Sequence, residues 1–221
     1  MSTDPTLQIA PLPILCSHPA VSLRGTLVDL NEQALDLIFR TARTPRTFLP
    51  KSVAVQRLQE IYDIAKLAPT SFNCSPLRIV FILSMAGKQR LLPALTKGNI
   101  EKTMTAPVTA IFANDLRFYE HLPRLFPYSD TRTRFEQSPQ SALDSCNRNG
   151  TLQAAYFILA ARAVGLDAGP MSGFDNAQVD AEFFPNGRWR SNFLCNIGYG
   201  DGASLLPRGP RLEFEETCTI V

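Results

Sequence analysis

At 221 residues, 45% apolar and 19% charged, the chain is long enough for one good-sized core and short for two full domains. Its 22 basic and 20 acidic residues leave a net charge of +2, and the lysines and arginines are scattered without aromatic interleaving, which argues against nucleic acid as a partner. Five widely spaced cysteines (Cys16, Cys74, Cys146, Cys195 and Cys218) and two histidines (His18 and His121) offer neither a disulfide framework nor metal-site spacing, so the chain reads as a reduced, cytoplasmic protein without a protein-built metal centre.

Residues 1–25 are broken by prolines and read as an irregular arm, leaving 26–221 as a single domain. The four prolines before Leu30 and the want of a sustained apolar run there predict neither a signal peptide nor a membrane span. From Asn31, a plausible N-cap, the pattern turns helical, with Leu30, Ala34, Leu37, Ile38 and Thr41 on one face. Residues 43–48 (RTPRTF) follow, and place Arg43, Thr44 and Arg46 on a proline-stiffened turn. Such a turn is either a phosphate clamp or a solvated helix end.

A second helix is predicted over 53–67, with Val55, Leu58, Ile61, Tyr62 and Ala65 as its stripe. Then comes APTSFNCSP at 68–76, two prolines and several short polar side chains. It reads as a stiff, donor-rich edge suited to a flat, oxygen-rich ligand, or as a plain connector. Strands are predicted at 77–83 and 108–113, with helices at 88–95 and 99–104 between them. The second of these helices puts Asn99 and Lys102 on one face, an amide and a cation together.

Residues 114–135 are charged and aromatic. Leu116, Phe118, Tyr119, Leu122, Leu125 and Phe126 are too many apolar groups for a solvated loop, so a helical flap is expected. The stretch 147–164 is apolar on nearly all sides and reads as a buried helix ended by Gly165. Residues 169–175 (GPMSGFD) are expected to form a fixed extended turn whose main-chain N–H groups can approach a ligand. A third core strand is predicted at 191–197, with Cys195 as a small hydrophobe, and the tail from Arg211 is read as leaving the body to pack elsewhere. Few strands separated by unequal helices argue for α+β or α/β without a regular βαβ rhythm. Phosphate-loop, dinucleotide-loop and serine-elbow motifs are missing, so a bound cofactor is the expected source of the chemistry.

With the clusters in this order, the chain resembles the nitroreductase family of FMN-dependent oxidoreductases from about Leu30 onward. The runs PTSFNCSP, KGNIEKTMTAPVTAI, FYEHLPRLFP, LQAAYFILAARAVGLDAGPMSGFD and NIGYGDG are similar to its malonic semialdehyde reductase branch. The resemblance implies an α+β fold with a mixed, mostly antiparallel central sheet flanked by helices, in an intertwined homodimer with two FMN sites at the interface. It implies FMN contacts from Arg43, Thr44 and Arg46, from Pro69, Thr70, Ser71 and Asn73 of the other subunit, from Asn99 and Lys102 at the pyrimidine end of the ring, from Pro170, Met171, Ser172 and Gly173 near N5, and from Arg211 at the phosphate. Lys102 would stabilise the reduced flavin.

NADPH or NADH would be the reductant, and malonic semialdehyde would become 3-hydroxypropionate in pyrimidine breakdown, with Arg132 or Arg134 of the flap taking the substrate carboxylate. General nitro- or quinone reduction is the alternative, and a flavin-binding module without turnover a third reading. The sequence departs from the family pattern at Ala42, Ser75, Leu77, Ser172 and Gly209, which shifts phosphate binding toward Arg46, Arg211 and Arg208.

Overall fold

The structure, a computed structural model, describes residues 29–221; the 1–25 arm and the proposed boundary at residue 26 lie outside the described residues. Four strands form one sheet: β1 (Leu77–Ile82), β2 (Val108–Asp115), β3 (Asp167–Met171) and β4 (Trp189–Gly198), in the order β1-β2-β4-β3. Every pair is antiparallel, so among the described residues the expected mixed sheet is antiparallel throughout.

β2 is central and buried along its whole length, and its alternation assigns each face a core. Ala110 and Phe112 join Leu58, Ile61, Phe157 and Ile197 on one side, while Ile111 and Ala113 join Leu91, Phe174, Val179 and Leu194 on the other. Each of the large side chains contributes roughly 1.5–3 kcal/mol by leaving water. A register shift between Phe112 and Ala113 marks a bulge against β4.

The first helix is shorter than its pattern suggested. It comprises α1 (Glu32–Leu35) and a π-turn, Asp36–Arg40, and Leu37 and Phe39 remain exposed. α2 (Val55–Ala65) buries Leu58, Ile61 and Ala65, whereas Val55 and Tyr62 of the predicted stripe face outward. α3 (Met85–Leu91) starts three residues before the expected helix, because Ser84 caps it by accepting from the Gly87 amide at 3.1 Å. α4 is Lys97–Thr105.

The flap is helical as expected: a 3₁₀ turn at Phe118–His121, then α5 (Leu122–Leu125) and α6 (Thr131–Glu136). Its Phe118, Leu122 and Phe135 cover a third apolar cluster with Cys74, Ala142 and Cys146. The long helix α7 runs Pro139–Ala163, eight residues earlier than its apolar stretch, with proline in its first turn. Its end is a Schellman motif: Gly165, at φ +81°, donates to Arg162 O, and Leu166 donates to Ala161 O, both at 2.9 Å.

β3 is the main correction to the sequence reading, since Asp167–Met171 is a strand where a turn was expected. Pro170 is tolerated because β3 is an edge, paired only with β4. α8 (Asn176–Phe183) follows, and after β4 come a 3₁₀ turn at Gly202–Ser204 and a short helix, α9 (Phe214–Thr217), with Leu212, Phe214 and Ile220 exposed.

Candidate active site

A cavity of about 320 Å³ opens between the turn after α1, the outer face of α7, β3 and the tail. Arg43, Thr44, Arg162, Pro170, Arg208 and Arg211 line it. Its charge is strongly one-sided: four guanidiniums and no carboxylate. Arg162 is neutralised by an ion pair with Asp167, and its Nη2 also donates to Leu37 O at 2.9 Å. Arg43 donates to Leu206 O, Arg208 to Arg40 O (2.6 Å) and Ala42 O (2.9 Å), and Arg211 to Gly209 O and Pro210 O. Backbone carbonyls therefore orient these three cations without cancelling their charge, which leaves an anion receptor in guanidinium geometry. Arg46 does not line the cavity; its amide donates to Ser204 Oγ at 3.3 Å.

β3 leads from this cavity to a polar knot at the start of α4. Asn99 Nδ2 donates to Gly173 O at 2.9 Å, and Lys102 Nζ donates to Asn99 Oδ1 at 3.3 Å. Asn99 is buried, with both ends of its amide engaged. Beneath them, Thr103 Oγ1 and Asn196 Nδ2 each lie 3.8 Å from the Met171 sulfur, and Asn196 Oδ1 accepts from Thr109 Oγ1 at 2.7 Å. The fold thus joins three of the predicted clusters, at Arg43/Thr44, at Asn99/Lys102 and at Pro170–Met171–Ser172–Gly173, with Arg211 beside the first.

The fourth cluster lies elsewhere. Pro69, Thr70, Ser71 and Asn73 precede β1, the strand at the opposite edge of the sheet from β3, three strand spacings or about 14 Å across. None of the four lines the arginine cavity. The segment is more strained than its sequence suggested: Phe72, Asn73 and Ser75 all have positive φ, at 54°, 50° and 41°. Packing and hydrogen bonds enforce this. The Phe72 ring meets Phe126 and Phe135 edge-on, Ser71 N donates to Asn149 Oδ1 at 2.8 Å, and Asn73 Nδ2 donates to Leu125 O at 3.1 Å.

Of the flap arginines, Arg132 is paired with Glu136 at 2.8 Å, while Arg134 lies over the Phe72 ring at 5.9 Å. Arg134 therefore accompanies the strained segment and Arg132 does not. Thr96, which holds Gly173 as well, was not singled out in the sequence; its place immediately before the KGNIEK run was the available signal.

A profile described as the nitroreductase family matches residues 39–199. The chain belongs to the nitroreductase family. A protein of Polynucleobacter asymbioticus, provisionally named NADH dehydrogenase/NAD(P)H nitroreductase, is 55% identical over 192 residues, covering 87% of this chain and 98% of the relative. Among solved structures, a provisionally named nitroreductase from Bacillus subtilis aligns with TM-score 0.76 at 21% identity, over 86% of this chain and 100% of the other. One from Exiguobacterium sibiricum, solved in complex with FMN, aligns with TM-score 0.75 at 20% identity, over 88% and 100%. These two likenesses carry the nitroreductase fold. No helix among the described residues is long and apolar enough to cross a membrane.

Proposed function

We propose that this nitroreductase is an FMN-dependent oxidoreductase driven by NADPH or NADH and built as a homodimer with FMN held between subunits. The observation that carries the reading is the arginine cavity joined, through β3, to a lysine and a pair of unpartnered backbone amides. Arg43, Arg208 and Arg211 suit a phosphate monoester, and the amides of Ser172 and Gly173 make no hydrogen bond among the described residues, so both are available to ring acceptors. Lys102 adds a positive charge beside them. The FMN bound by the Exiguobacterium neighbour agrees with that donor set. When bound, FMN supplies a two-electron carrier between NAD(P)H and an acceptor.

The chain's own part is to bind, orient and stabilise. Lys102 opposes negative charge that develops beside the Gly173 turn, without moving a proton itself. An acceptor oxygen would take its proton from water or from solvent held by the backbone, with no acid or base of this chain assigned to that step. Pro69, Thr70, Ser71 and Asn73, at the far sheet edge, are assigned to the cofactor of the second subunit.

For the acceptor, the motif resemblance favours malonic semialdehyde, reduced to 3-hydroxypropionate as one NAD(P)H and one proton are consumed. The name of the 55% identical relative favours the second reading, a general nitro- or quinone reductase. Comparing kcat/KM for malonic semialdehyde, a quinone and a nitrofuran decides between them. Protein that bleaches with NADPH and recolours on adding aldehyde supports turnover, whereas purified protein that takes up no FMN rejects the flavin reading. If the aldehyde reading holds, Arg134, next to Phe72, is the better candidate for the substrate carboxylate. Arg134→Ala then raises KM for malonic semialdehyde about tenfold, the loss of one charge-assisted contact, and Arg132→Ala leaves it unchanged.

A further inference from the structure

Thr96 stands at the N-cap of α4, where a threonine side chain ordinarily accepts from the first turn of its own helix. It makes no such bond. Its Oγ1 instead donates to Gly173 O at 2.8 Å, and its backbone amide donates to the same oxygen at 3.1 Å. Asn99 Nδ2 is a third donor to that oxygen, at 2.9 Å.

On the other side of the turn, Phe174 N donates to Ser172 O at 3.0 Å, a γ-turn centred on Gly173, and Asp175 N donates to Ala94 O at 2.8 Å. Both peptide planes flanking Gly173 are held in this way. A Cβ at position 173 would lie 2.6 Å from Thr96 Oγ1 and from Asn99 Nδ2, so the clamp itself requires glycine there.

We propose that Thr96 is a positioning residue. It gives up capping α4 to fix the Gly173 carbonyl, and so presents the free amides of Ser172 and Gly173 as a rigid pair of donors to the bound ring. Asn99 acts alongside it, since its amide nitrogen holds Gly173 while its oxygen holds Lys102, so the turn and the cation are set by one side chain. This inference rests on the flavin reading and adds to it a residue outside the expected contact set.

The test uses flavin-loaded wild type, Thr96→Val and Thr96→Ser, with Thr96→Ala as a second variant should valine disturb the fold. Amide hydrogen exchange at Phe174 and the flavin midpoint potential are both measured. Loss of the hydroxyl is expected to speed Phe174 exchange about tenfold, as a locally destabilised turn opens more often, and to shift the potential, with serine restoring both. Unchanged exchange in the valine and alanine variants overturns the clamp. Faster exchange with an unchanged potential overturns its positioning role. Wild-type protein that takes up no FMN overturns the flavin reading and the role with it, and is told apart because it is seen before any substitution is made.

Discussion

Lys88 is only 4% exposed, and its ammonium donates to Met104 O at 3.2 Å and to Ala106 O, carbonyls at the C-terminal end of α4 that the helix cannot satisfy. Burial lowers its pKa from the usual lysine value. The folded value thus lies below the unfolded one, so the folded chain releases this proton first. Its contribution to stability rises as pH climbs from the folded value to the unfolded one. Lys88→Met should abolish that alkaline rise and cost about 1–3 kcal/mol in urea unfolding at neutral pH, because two acceptors lose their donor. The cysteines behave differently. Desolvation pushes Cys74 up to about 11 and Cys146 and Cys195 up to about 12, and all three are buried. Iodoacetamide at neutral pH should leave these three unmodified in the native protein and label them after denaturation, as read by peptide mass.

Among the elements, α7 and β2 are keyed to each other at Gly150. A Cβ there would fall 1.9 Å from Asn114 Oδ1, an atom that is buried without a hydrogen-bond partner, while Asn114 Nδ2 donates to Asn147 Oδ1 at 3.1 Å. Alanine is the better helix former by about 1 kcal/mol, yet Gly150→Ala should lower stability by about 1–3 kcal/mol through overpacking, visible as a lower thermal midpoint. At the end of β2, Asp115 is 1% exposed and takes Arg78 (2.7 Å), Arg188 (3.0 Å) and the Arg117 amide (3.0 Å), fixing the flap's base to β1 and to the turn before β4. Asp115→Ala removes their shared acceptor, leaving Arg188 with Glu120 (2.9 Å) and Arg78 with the Ser75 and Leu77 carbonyls, and should cost about 1–3 kcal/mol in chemical denaturation.

The elements also show what the sequence could carry. β1 and β2 were legible from their runs of β-branched and aromatic residues, β4 from the short apolar core of Phe193, Leu194, Cys195 and Ile197, and the C-terminus of α7 because a glycine follows a long apolar stretch. β3 was not, because Gly169 and Pro170 are turn residues everywhere except on an edge. Nor was the first third of α7, whose polar side chains serve local partners; farther along, Asn149 holds Ser71. The donor-rich character of 68–76 was readable, but its left-handed backbone was not, since rings from the distant flap impose it.

Across the whole molecule, the predicted site residues divide between opposite edges of the sheet. If one cofactor needs both sets, it needs two chains. Pairing a subunit carrying Arg43→Ala and Arg211→Ala with one carrying Ser71→Ala tests this, because the mixed dimer retains one site with every residue intact. Isolated mixed dimers should bind about half the wild-type FMN, and each parent dimer less than the mixed species, as two-fold composite sites require. Ser71→Ala parent dimers that retain the wild-type FMN would show that Ser71 has no such part.

The two edges of the sheet differ in another way. β3 carries Pro170, which breaks its outer row of donors, whereas β1 (LRIVFI) has no proline and pairs only with β2 among the described residues. A newly made chain therefore displays a sticky ribbon, hydrophobic and short of charge, until something shields it. Expression yield and chaperone demand should respond to that ribbon before catalysis does: co-expressed chaperone should raise the recovery of newly made protein while kcat/KM of the recovered enzyme stays unchanged.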